Sequence, residues 1–334
     1  MIRKIIGILL MAVAVLFSWQ CSREGGSNAS DTTIKIKRYD YLQCKYLLTN
    51  DLSALQKMNR HYPQATKLLI EDVLAIGEVD EHRINDKMLV YFSDTTLTKL
   101  MRDVEVKFKN LDKIESQLSE GFARLKRDVP ALPVPRFYTQ ISALNQSIVV
   151  GDSILGISLD KYMGEDYPLY KNFYYKSQRY SMNPDRIVPD CFVFYLLSQY
   201  PHLWATQHSL LDVMMHRGKI YWIVSQILKY DTIEDLMGYS KKDAAWCINN
   251  RKNLWKMMKD RNHLEAIDPL VIRSYMQVNS YIHIMGKDTP PAIGIWMGMQ
   301  LIDTYMKKHK ELTYKELLEK TDYHQMMLEL EGSF

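Results

Sequence analysis

One stretch of this chain changes its hydrophobic period, and that change limits the folds open to it. Between residues 136 and 159 the sequence runs in short β-branched or aromatic segments, Arg136 to Ala143, Ser147 to Val150 and Ser153 to Leu159. Asn145-Gln146 and Gly151-Asp152 lie between them as turn signals. This spacing predicts a small antiparallel β meander. On both sides the period is helical. Leu111, Ile114, Leu118, Phe122 and Leu125 draw one apolar stripe. The opposite face, Lys113, Glu115, Glu120, Arg124 and Lys126, is expected to be solvated. Pro130, Pro133 and Pro135 end that helix, because each disfavours helical backbone in the residue before it.

Asp51 to Ile76 also has helical spacing, with a break expected near His61-Tyr62-Pro63. From Pro184 the pattern is helical almost to the end. Ser240 with Asp243 and Thr313 with Glu316 stand at capping-box spacing. Ile295, Met299, Ile302 and Met306 share a helix face, and Gly294 and Gly298 beside it would let a second backbone approach closely. The expected class is α+β, a predominantly helical single domain over residues 36–334, since no linker-like composition divides it.

With 47% hydrophobic residues in 334, and only 14 Gly and 11 Pro, the chain can bury a large core and is not a disordered one. Four Cys exclude a disulfide-dense scaffold, and a net charge of +4 does not point to nucleic acid.

The N-terminus reads as an address. Arg3 and Lys4 precede an apolar run from Ile5 to Phe17, the pattern of a signal peptide over residues 1–20. The run is short of the roughly 20 residues that span a bilayer. Cys21 follows as a lipoprotein-type lipid attachment site, although Gln20 stands where a small residue is usual. Residues 21–35, rich in Ser, Gly and Asn, are expected to be a flexible tether. Loss of residues 1–20 removes two basic and no acidic residues, lowering the charge to +2, so lipid and not a basic patch would hold the membrane. Cys44, Cys191 and Cys247 remain, an odd set that cannot be fully paired. Cys191 and Cys247 are expected as small buried hydrophobes.

The strong catalytic motifs are missing: the sequence holds no HExxH, G-x-S-x-G, phosphate-binding loop, CxxC or GxGxxG. Gly151-Asp152-Ser153-Ile154-Leu155-Gly156 resembles a nucleophile elbow, but it joins two strands and is expected to be a hairpin turn. The best polar constellation is His208, Asp212 and His216 at i, i+4 and i+8. Two imidazoles and a carboxylate suit zinc or iron. On a straight helix, however, the outer pair diverges by about 80° and lies two turns apart, which favours a polar seam. His202 and His283 have no evident partner. Tyr162, Tyr167, Tyr170, Tyr174, Tyr175 and Tyr180 crowd one segment, expected to pack a loop, with a carbohydrate- or peptide-binding shelf as the alternative. No catalytic residue or cofactor is expected.

Several segments together resemble the gliding-motility lipoprotein B family (GldB). They are Val149 to Gly164 with Tyr167-Pro168-Leu169-Tyr170, Arg217-Gly218-Lys219-Ile220-Tyr221, Gly238-Tyr239-Ser240, and Pro291 to Met306. The resemblance implies a lipoprotein of a diderm cell envelope, anchored in the outer membrane by lipid. It also implies association with gliding motility or its secretion machinery through envelope protein partners. The family is distantly similar to zincin-type metallopeptidases. There a HExxH helix would lie near Pro189 to Leu203; this chain reads Asp190-Cys191-Phe192-Val193-Phe194-Tyr195-Leu196-Leu197, without ligands. Downstream, where zincin likeness would put Glu-Gly, it has His216-Arg217-Gly218. The resemblance therefore implies a non-catalytic member, with a metal-dependent hydrolase as the alternative.

Overall fold

A computed structural model describes residues 33–202, 208–277, 284–330 and 332. The chain is tied down from Ile34 onward. The Ile34 amide donates to Ser119 Oγ at 2.9 Å and the Ile36 amide to Glu115 Oε1 at 2.8 Å. Helices α1 (Tyr39–Thr49), α2 (Leu52–His61) and α3 (Pro63–Lys67) follow, then a π-helical segment, Leu68–Val73. The expected break falls between α2 and α3, where Pro63 takes a first-turn position that needs no N–H. Helices α4 (Ile84–Tyr91), α5 (Thr95–Lys107) and α6 (Asp112–Asp128) complete the first half. Helix α6 buries Leu118, Phe122 and Leu125, the expected stripe. Its far face is less idle than expected. Glu115 is an anchor for the entering chain, and Arg124 Nε donates to the Ile227 carbonyl at 2.5 Å.

The sheet corrects the expected meander. Strands β1 (Arg136–Gln140), β2 (Ile148–Gly151) and β3 (Ile154–Ser158) lie in the order β1-β3-β2. β2 and β3 form the antiparallel hairpin, with Gly151 opposite Ile154, but β1 runs parallel to β3, Phe137 facing Leu155. The sheet is therefore mixed. The cause is the link from β1 to β2, which crosses to the far edge of β3 with Ala143 and Leu144 both left-handed, at φ 53° and 66°. Such backbone is costly for residues other than glycine and persists only when its surroundings hold it. Asp160 does so from just beyond β3. Its buried carboxylate accepts the Ser142 amide at 2.9 Å and the Leu144 amide at 2.6 Å.

Short helices α7 (Pro168–Phe173) and α8 (Lys176–Arg179) lead into α9 (Ile187–Gln199), α10 (Leu210–Leu228), α11 (Ile233–Met237), α12 (Lys241–Asp260) and α13 (Pro269–Met276). Helices α14 (Ile293–Lys308), α15 (Tyr314–Glu319) and α16 (Tyr323–Glu329) end the fold. Both expected capping boxes form, Ser240 with Asp243 and Thr313 with Glu316. Helices α10 and α14 meet backbone to backbone. A Cβ on Gly298 would sit 2.1 Å from the Met214 carbonyl oxygen, and one on Gly218 only 2.3 Å from Gly298 C. Gly294, the second glycine expected to admit a neighbour, faces Tyr275 and Met276 of α13. Cys44, Cys191 and Cys247 are buried free thiols. Among the described residues no helix is long and apolar enough to cross a membrane.

Two substitutions test these constraints. Gly298→Ala is expected to lower stability by about 3 kcal/mol or more in urea unfolding, because backbone cannot yield as a side chain does. Asp160→Asn has a single carbonyl acceptor where the carboxylate has two, and is expected to cost about 1–3 kcal/mol. A midpoint unchanged in either variant would show that the crossing or the link tolerates the change.

Candidate functional site

Helix α10 begins with a third capping box, and that box uses one of the expected metal ligands. Ser209 is the N-cap, and the Asp212 carboxylate accepts both its amide and its hydroxyl, each at 2.9 Å. The other Asp212 oxygen faces His324 Nε2 at 3.8 Å. His208 precedes the cap and is not on the helix. The i, i+4, i+8 arrangement is therefore broken at its first member, and its carboxylate is committed to the helix end.

The histidines nevertheless meet, in a set that spacing did not show. His202, in the segment after α9, lies with its ring 3.6 Å from that of His208 and 4.6 Å from that of His216. His216 is buried, shares a 3.0 Å hydrogen bond between Nδ1 and the Tyr323 hydroxyl, and has no partner for Nε2 among the described residues. Imidazoles around one ion splay apart to aim single nitrogens at a point about 2 Å away. Here His202 lies tilted at 47° and 39° over its two neighbours, ring beside ring. Among the described residues no three His, Cys, Asp or Glu side chains are placed to hold a metal ion. His283 lies outside the described residues, as does Cys21.

One turn beyond His216, Lys219 is 1% exposed and donates to the carbonyls of Leu318 and Lys320 at 2.8 and 2.5 Å, closing the C-terminal end of α15. Burial pushes its ammonium down to about 7. Burial likewise pushes His216 down to about 3 and His202 to about 4, helped by Lys219 and Arg217 and by the other imidazoles.

The tyrosine-rich segment forms ties instead of an open shelf. Tyr162 and Tyr170 are buried. The Tyr170 hydroxyl accepts the Met163 amide and donates to the Asp160 carbonyl, and Tyr167 donates to Asp103 at 2.7 Å. Tyr174 donates to the Leu144 carbonyl at 2.9 Å, so it also braces the strained link. Beside these ties lies an open-mouthed cavity of about 270 Å³ between the start of β2, the end of β3, α8 and the first turn of α9. Asp190 and Lys161 both line it. Tyr162 donates to Asp190 Oδ2 at 2.9 Å, and Arg186 stands 3.8 Å from Oδ1. Burial raises the Asp190 carboxyl to about 6, against the pull of Arg186 and Tyr162. Spacing did not single out Asp190, because it stands alone in an apolar helix.

The fold and its two polar clusters thus belong to a mostly helical α+β protein. A family model described as gliding motility protein GldB matches residues 22–329, and the chain belongs to that family. No curated protein and no solved structure matches it.

The imidazole stack has a consequence for acid stability. His202 and His216 titrate in the folded protein well below the ~6.5 of a free imidazole. Between those limits the unfolded chain binds more protons, so the contribution of these two groups is complete above about pH 6.5 and is lost as the pH drops toward 4. Each imidazole adds up to about 1.4 kcal/mol per pH unit to that slope. Urea unfolding from pH 7 to 4 should show a shallower slope in His202→Gln and His216→Gln. Slopes equal to that of the parent would remove the stack as the cause. Asp190, titrating from the raised side, contributes the opposite sign near pH 6, which is why the variants and not the bare profile decide.

Proposed function

We propose that this protein is a lipid-anchored component of a diderm cell envelope, held at the outer membrane through Cys21. In this reading it serves gliding motility or its secretion machinery through protein contacts, not catalysis. The observation that carries the reading is the GldB match, which begins at residue 22, directly after the cysteine. Residues 1–20 are then a removed signal peptide, the residues after Cys21 a tether, and the domain that follows the working part. The zincin likeness belongs to the same reading as a matter of descent, with Asp190 to Leu197 occupying a ligand helix that carries no ligands.

Two features support contacts over chemistry. The polar groups nearest to a catalytic set are engaged in holding the fold, Asp212 at a helix cap and His216 against Tyr323. In addition, Phe173 at the end of α7 and Tyr175 beside it stand 65% and 58% exposed, next to the Tyr167–Tyr170 segment of the resemblance, and offer apolar surface to a partner.

Cys21→Ser is expected to abolish labelling by a palmitate analogue and move the full chain from the membrane to the soluble fraction. A photo-crosslinking amino acid at position 173 of the full-length protein in cells should give a discrete adduct with an envelope protein. Absence of any adduct there, with the protein folded and membrane-bound, would count against the contact role.

A further inference from the structure

The cavity beside Asp190 is lined by polar groups that keep bonding capacity beyond the ties they make around it. Lys161 Nζ donates to the Leu144 carbonyl and the Tyr174 hydroxyl, both at 3.0 Å. An ammonium carries three N–H groups, so one is left over. Gln178 uses Oε1 to accept the Tyr175 amide at 2.8 Å, which orients its side chain and leaves the Nε2 donors without a partner among the described residues. The Asp190 side chain is 20% exposed and lines the cavity; Tyr162 bonds its Oδ2, while Oδ1 has only Arg186 at 3.8 Å. Ser181 lines the same space with a hydroxyl that donates to the Gln178 carbonyl and can still accept. Met182 and the Tyr174 ring supply an apolar wall.

Size and charge narrow the occupant. At ~30 Å³ per water, the cavity takes the volume of about nine waters, enough for one six-membered ring with its substituents. A phosphate or other compact anion drawn to Lys161 would meet the Asp190 carboxylate. A cation drawn to Asp190 would meet Lys161, with Arg186 behind it. An uncharged ligand whose neighbouring hydroxyls both donate and accept satisfies the carboxylate, the ammonium and the amide together. Its C–H face can then lie on Met182 and Tyr174. Because each polar group is already braced by a neighbour, little ordering remains to oppose binding.

We propose that this cavity binds a single neutral sugar residue, the terminal unit of a glycan, with Asp190 accepting from its hydroxyls and Lys161 and Gln178 donating to them. This is a different arrangement from an exposed tyrosine shelf, since Tyr162 and Tyr170 are buried supports.

The test is titration calorimetry on the full mature lipoprotein in a sugar-free, uncharged detergent. Probes are the methyl glycosides of glucose, galactose, mannose and N-acetylglucosamine, with inorganic phosphate and glycine as charged comparisons. At least one glycoside should bind, and neither charged probe should compete with it. Asp190→Asn retains an acceptor for Tyr162 but removes the charge. Gln178→Glu retains the acceptor for the Tyr175 amide but removes the free donors. Each variant should weaken binding about tenfold, as expected for a lost polar partner in a partly buried site. Thermal melting checks that each variant is folded; if Asp190→Asn is not, Gln178→Glu decides alone. Failure of all four glycosides, preference for phosphate or glycine, or glycoside binding unchanged in folded variants would overturn the proposal.

Discussion

The crossing of α10 over α14 is the constraint on which most of the second half depends. Two glycines, Gly218 and Gly298, let the helix backbones touch, and a methyl group at either position would meet main chain within 2.3 Å. Close approach places flat helix surfaces in contact along their length and maximises dispersion between tightly packed atoms. It also fixes the rotation of α10. With Gly218 turned toward α14, His216 and Lys219 on either side of it reach Tyr323 and the end of α15. The buried polar cluster around His216 and Lys219 is therefore set by an apolar contact.

A second theme is the use of buried polar side chains to hold irregular backbone. Asp160 holds the β1–β2 link, Lys219 closes a helix end, and Trp296 donates to the buried Glu234 at 2.6 Å. Buried groups of this kind stabilise little in net terms but cost much when left alone, so each ties its partner to one geometry. The tyrosine segment works the same way. Its phenols are anchored on main chain and carboxylates, and the cavity beside Asp190 is the space those anchors leave.

Much of the helical architecture was legible because it rests on local physics. The stripe through Leu118, Phe122 and Leu125, the break at Pro63, and the boxes at Ser240 and Thr313 all follow from period, ring geometry or a side chain three residues away. The close approach at Gly298 was legible in part: the glycine stood out, but its partner across the contact is Gly218, while Gly294 admits α13 instead. The sheet order was not. Neighbouring strands usually pair, and nothing between Ile141 and Ser147 announces that a carboxylate at position 160 will hold two left-handed residues. The histidine set failed for a related reason. His202, just after α9, lies against His216 of α10 although fourteen positions separate them, whereas Asp212, well placed by spacing, is bound to its own N-cap.

By itself the sequence determined the helical class, the position of the β segment, the caps, the family resemblance and the glycine face that another helix would need. Each depends on residues a few positions apart, or on a pattern that survives without coordinates. Only the tertiary structure decided that β1 lies parallel to β3, that His202 and not Asp212 joins the imidazoles, and that Asp190 and Lys161 line one cavity. Those outcomes turn on residues distant in the chain, brought together by packing whose direction no local spacing encodes.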